Sequence, residues 1–179
     1  MAQLSFETQI RNGAIAKEST LNIIEDYKVA IPAAYGTSGN FIIEAGTPIF
    51  KQVSASGTSD DWIVSPYDAN TPANTPLANF IGVLMYDLNF STTQPYASNS
   101  VVKVLRAGFV WITSVDLVNR SNVMVYLTLN GTTGTDARAF FGTSASSTPT
   151  AVEGHYLSST GTAGNVEKCF FFTMEKALT

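Results

Sequence analysis

The sequence predicts a mainly β protein with an extended N-terminal arm, and three observations carry that reading. Runs rich in β-branched and aromatic residues, 6 to 11 residues long, recur from residue 41 onward. Seven of the 13 glycines (36, 46, 57, 131, 134, 142 and 161) are followed directly by threonine, where random placement gives about 1.5; glycine supplies a turn and a β-branched residue opens the next strand. None of the apolar runs repeats every 3.6 residues, so helix is disfavoured.

The chain divides near residue 40, giving an arm over residues 1–40 and a β domain over residues 41–179. The first part holds seven charges (Glu7, Arg11, Lys17, Glu18, Glu25, Asp26, Lys28) among scattered apolar residues. Ser19 or Thr20 fits as the cap of a short helix reaching Tyr27. An extended segment, with Phe6, Thr8 and Ile10 alternating, fits equally well. Pro32 and the Gly36-Thr37-Ser38-Gly39 turn then close this part off.

Strands are predicted at Phe41–Lys51, Phe80–Leu88, Val123–Leu129 and Cys169–Met174. Val101–Val115 is long enough for two strands or for one bent at Gly108. Several runs are apolar without alternation, which implies burial on both faces. Between them, Ser54–Leu77 holds a short Trp62-Ile63-Val64 and three prolines (Pro66, Pro72, Pro76). So long a connection predicts a functional or surface-draped loop, and its prolines favour a stiff, extended path.

Composition then excludes function classes. Ten Lys and Arg against 14 Asp and Glu leave a net charge of −4, which argues against broad contact with a phosphate backbone. Charged residues are only 13 % of the chain, about half the usual share; 17 Ser, 21 Thr and 12 Asn supply the polarity instead. Residues 1–20 contain no apolar leader, and apolar runs such as Ala107–Ile112 are too short for a membrane span. Cys169 is the sole cysteine and His155 the sole histidine. With no partner thiol, no nucleophile elbow and no ligand cluster, most metal and nucleophile chemistry falls away. Asp60, Asp61 and Asp68 match no calcium loop and read as solvated turns. The Gly-x-x-Gly turns lack the Lys-Ser/Thr of a phosphate loop. Trp111 and the pairs Phe140-Phe141 and Phe170-Phe171 read as core. Trp62, following two aspartates, reads as an interface anchor.

The order of the strands resembles a known family. Ala45-Gly46-Thr47-Pro48-Ile49-Phe50-Lys51 is followed by Pro66-Tyr67-Asp68-Ala69 in a polar loop. Ile81-Gly82-Val83-Leu84-Met85-Tyr86-Asp87 and Val101–Val110 come next. Over residues 41–115 this looks like the head decoration, or capsid cement, proteins of tailed bacteriophages. The resemblance implies a small β-barrel or β-tulip domain on the outer surface of a virion capsid. It implies the major capsid protein and further copies of this chain (trimer, alternatively dimer) as partners. It brings no catalytic residue, metal or cofactor, and neither nucleic acid nor membrane as partner. An arm that adds a strand to a neighbouring sheet suits such a role, which makes Phe6, Ile10, Leu21, Ile23 and Tyr27 candidate contact residues, joined by Trp62 and Tyr67 from the long loop. Two other functions remain open at this point. A receptor- or glycan-binding module would use Trp62 and Tyr67 as exposed aromatics, and a hydrolase would use Asp60, Asp61 and Asp68.

Overall fold

The structure is a computed structural model that describes residues 11–17, 19–32, 43–53, 59–86, 99–119, 123–130, 138–145, 149–159 and 161–172, with main chain alone at 59–62 and 130. Among the described residues, nine strands form one sheet: β1 (Ile23–Val29), β2 (Pro48–Val53), β3 (Ser59–Ser65), β4 (Phe80–Leu84), β5 (Val101–Thr113), β6 (Val123–Asn130), β7 (Arg138–Gly142), β8 (Thr150–Tyr156) and β9 (Val166–Phe172). Their order is β1-β3-β2-β4-β5-β9-β8-β6-β7, and β1 also pairs with β5. That extra pairing closes the first five strands into a barrel, which removes most of their exposed edges. The remaining strands continue the sheet outward from β5.

Strand β5 belongs to both parts. Val101–Ala107 pairs with β1, and Val104 and Leu105 with β4. Ala107–Thr113 then pairs with β9 in unbroken register. The change of partner falls at Gly108, whose φ of +124° lies in a region that side chains rarely adopt. The Asn22 Oδ1 atom accepts a hydrogen bond from the next amide, Phe109 N–H, at 3.0 Å, and a Cβ on residue 108 would sit 2.2 Å from that oxygen. Of the two readings of Val101–Val115, a single strand running through Gly108 is correct.

Two cores explain the continuously apolar runs. Tyr27, Val29, Ile49, Leu84 and Val104 fill the barrel. Phe50, Val83, Leu105, Phe141 and Phe171 belong to a second core, between the barrel wall and the outer sheet. Neighbouring residues of one strand therefore point into different cores: Ile49 and Phe50 on β2, Val83 and Leu84 on β4, Val104 and Leu105 on β5. Phe80 joins the two parts, with its ring centroid 6.0 Å from both Phe50 and Phe141. Edge-on ring pairs of this kind add to their area burial.

Three sequence expectations are corrected. The boundary at residue 40 cuts through the barrel, because Ile23–Val29 is the strand that closes it. The short helix is replaced by a turn, in which Ser19 Oγ accepts from Leu21 N–H, and then by strand. Residues 13–16 also lie against β5: Gly13 N–H donates to the Trp111 carbonyl at 2.7 Å and Trp111 N–H to the Ala14 carbonyl at 2.9 Å. The first ten residues of the arm, with Phe6 and Ile10, lie outside the described residues.

The second correction concerns Ser54–Leu77. Residues 59–65 are β3, an interior strand of the barrel. The stretch from Tyr67 to Thr75 is folded tightly instead of extended: Asp68 Oδ1 accepts from Asn70 N–H at 2.9 Å, the Asp68 amide donates to Thr75 Oγ1 at 2.8 Å, and both Tyr67 and Thr75 are buried. The third concerns β7 and β8, two strands that the sequence pattern does not pick out.

Candidate binding surface

Strand β1 sets the geometry of the candidate surface. On one side it pairs with β5 from Ile23 to Lys28. On the other it meets β3 in parallel at Lys28 and Val29 alone. Among the described residues, the edge from Ile23 to Tyr27 has no second strand beside it. An unpaired edge exposes main-chain donors and acceptors and is a template for an added strand.

Of the seven predicted contact residues, Leu21 and Ile23 lie here, 54 % and 50 % exposed. Exposed Ile24 extends the apolar surface, and Phe172 adds to it: Ile23, Ala107 and Phe172 stand side by side across β1, β5 and β9, while exposed Val101 stands at the far end of β1, opposite Lys28. Sequence reasoning missed Ile24, Val101 and Phe172. Alternation contained the signal for two of them, since burying Val102 turns Val101 outward and burying Phe171 turns Phe172 outward.

Tyr27 and Tyr67 are not exposed. Tyr67 packs edge-on against Phe50 with centroids 6.1 Å apart, so it offers no free ring for a glycan or a partner. Burial also raises the pKa of its hydroxyl. Tyr27 faces the barrel, where its hydroxyl donates to Glu25 Oε2 and accepts from Arg106 Nη1 at 2.7 Å. Arg106 Nη1 also reaches Glu25 Oε2 at 2.7 Å. Burial and the neighbouring carboxylate push the Tyr27 pKa up to about 12. The Tyr27 hydrogen bond, helped by Arg106, holds the Glu25 carboxyl below its usual range against the opposing effect of burial. This triad ties β1 to β5 and leaves Tyr27 a positioning residue for the edge. The Trp62 side chain, like Phe6 and Ile10, lies outside the described residues.

No group of three or more His, Cys, Asp or Glu that could hold a metal ion occurs among the described residues. Asp68, one of the three carboxylates of the hydrolase reading, spends both oxygens on Asn70 and Thr71. Cys169 is fully buried, and desolvation raises its pKa well above the ordinary thiol value, which suits a core side chain rather than a nucleophile.

A closed barrel sharing one strand with an outer sheet, and carrying an open strand edge flanked by exposed apolar residues, defines an all-β protein of barrel-and-sheet architecture. The chain matches the family of structural cement proteins (E217 gp24/Pam3 gp6) over residues 8–168. It belongs to that family. Among solved structures it is similar to a chain from "The capsid of Myoviridae Phage XM1", with a TM-score of 0.58 and 18 % identity over 89 % of this chain and 88 % of that one. At that identity the likeness shows a shared fold. No curated protein matches the chain.

Proposed function

We propose that this protein is a capsid cement protein that docks on the outer surface of a phage head and ties neighbouring major capsid protein subunits together. The family match carries the reading, because it spans the barrel and the outer sheet alike. The open β1 edge supplies the physical means: main-chain hydrogen bonds to an extended segment of the shell give affinity, and Leu21, Ile23 and Ile24 give it register. Phe6 and Ile10 count as further contact residues in this reading. The chain works as a homo-oligomer, trimeric or dimeric, so that several weak contacts act together. A surface rich in Ser, Thr and Asn suits close lateral packing, since few like charges meet.

The test is decoration of purified expanded shells that lack the protein. Wild-type chain is expected to saturate the shells at a fixed copy number per capsid subunit and to raise their melting temperature. Leu21→Asp combined with Ile23→Asp is expected to fold normally and leave shells mostly bare. Failure of the wild-type chain to dock, or full occupancy by the double variant, would overturn the function or the assigned edge respectively.

A further inference from the structure

A second surface lies on the outer face of the sheet built on β5 and β9. Residues directly opposite in antiparallel pairs share a face. Phe109, Phe170, His155 and Met124 are opposite one another in turn across β5, β9, β8 and β6. Trp111 and Lys168 form the adjacent row. Phe109 and Phe170 have ring centroids 4.8 Å apart, and Phe170 and Phe172 6.4 Å. The sequence places Phe140-Phe141 and Phe170-Phe171 in the core as pairs. The structure splits each, burying Phe141 and Phe171 while Phe140 and Phe170 stay half-exposed.

Cations gather on this ladder. Lys17 Nζ lies 5.4 Å and Lys168 Nζ 6.0 Å from the centroid of the Phe109 ring. Neither ammonium forms an ion pair among the described residues, whereas Lys103 pairs with Asp26 and Arg106 with Glu25. Two like charges drawn to one ring cost repulsion, even with the ring's quadrupole in their favour. Two ring nitrogens of the same face, Trp111 Nε1 and His155 Nδ1, are buried without a hydrogen-bond partner. The exposed Glu153 of β8 adds one negative charge nearby without pairing with either lysine. In a chain of net charge −4, this is a local cationic and aromatic site in which the Trp111 N–H lacks an acceptor.

We propose that this face seats an acidic, apolar-flanked segment of the major capsid protein, with its carboxylates on Lys17 and Lys168 and its apolar side chains on Phe109 and Phe170. The proposal rests on the cement function. It gives the molecule a second grip, separate in chemistry from the β1 edge, as a bridge between two subunits requires. A second copy docked by a twofold axis would set lysines against lysines, which electrostatic complementarity disfavours. The overall acidity of the chain disfavours nucleic acid.

The experiment uses full-length protein and undecorated expanded shells. Lys17→Ala with Lys168→Ala is expected to weaken docking about 10-fold at low salt and to flatten its salt dependence; Lys17→Arg with Lys168→Arg is expected to restore both. Carbodiimide treatment of decorated shells joins ammonium groups to carboxylates in contact. It is expected to link Lys17 or Lys168 to an Asp or Glu of the capsid protein. Unchanged docking by the alanine variant, or cross-links running to a second copy of this chain, would overturn the proposal and leave the cement function intact. Failure of the wild-type chain to dock would overturn both.

Discussion

Replacing Arg106 by methionine removes the guanidinium that joins β5 to β1 while keeping most of the buried stem. Arg106 is 8 % exposed, but the side chain of its partner Glu25 is 47 % exposed. Breaking a fully buried pair costs about 3–5 kcal/mol and a surface pair about 0–1 kcal/mol. With one end in each environment, and the Tyr27–Glu25 hydrogen bond left in place, the loss is about 2 kcal/mol. For a chain of this length that lowers the melting temperature by about 4–8 °C. The sign with pH comes from Glu25, whose folded pKa is lowered from 4.5. Its contribution is therefore complete above the unfolded pKa and disappears as pH falls through the lower folded value. Melting followed by circular dichroism at neutral and acid pH should show the gap between wild type and variant closing in strong acid. A melting temperature within about 1 °C of wild type at neutral pH would refute the role given to the triad, as would a gap that persists unchanged in strong acid.

The same geometry predicts the behaviour of other positions. Gly108→Ala forces a side chain into a positive-φ position against Asn22 and is expected to cost about 3 kcal/mol or more; denaturant melts check this, and a loss below about 1 kcal/mol would contradict that geometry. Phe171→Ala should cost about 3–5 kcal/mol by leaving a cavity, while Phe170→Ala costs less than half of that, and equal midpoints would show the two faces to be misassigned. Cys169 should stay unreactive toward a thiol reagent in the native protein and react once in denaturant; labelling of the native state within minutes would place the thiol outside the core. Tyr27 should be missing from the first tyrosinate absorbance wave and titrate near 12. Because the raised pKa favours the neutral folded form, stability should fall as pH climbs from about 10 toward that value.

The strand content was legible wherever one strand lies between two cores, because such strands show unbroken apolar runs. Val101–Val115 and Phe80–Leu88 are of this kind. Strand β1 was hidden by its own chemistry. Its barrel-facing series runs Glu25, Tyr27, Val29, and a charged first member breaks the apolar alternation. Glu25 becomes intelligible only with Arg106, 81 residues away. Strand β8 was hidden for another reason: between Val152 and Tyr156 its inward position is Gly154, where a Cβ would lie 2.8 Å from the Phe171 ring, so a neighbour's side chain fills the place of its own. The surface was half legible. Leu21 and Ile23 are exposed, but Tyr27 and Tyr67 are drawn inward by tertiary contacts that no local pattern encodes. The outward turn of Phe170 and Phe172 is a direct result of alternation once Cys169 is taken as core.

The continuity of β5 has a mechanical consequence. Because one unbroken backbone passes from the barrel into the sheet, tension applied to either part reaches the other through covalent bonds. The hydrogen bonds along both flanks of β5 are then loaded together in shear and must rupture as a group, whereas a peeled edge would give way one bond at a time. A molecule wired in this way behaves as a stiff strut and transmits a pull between its two ends with little stretch.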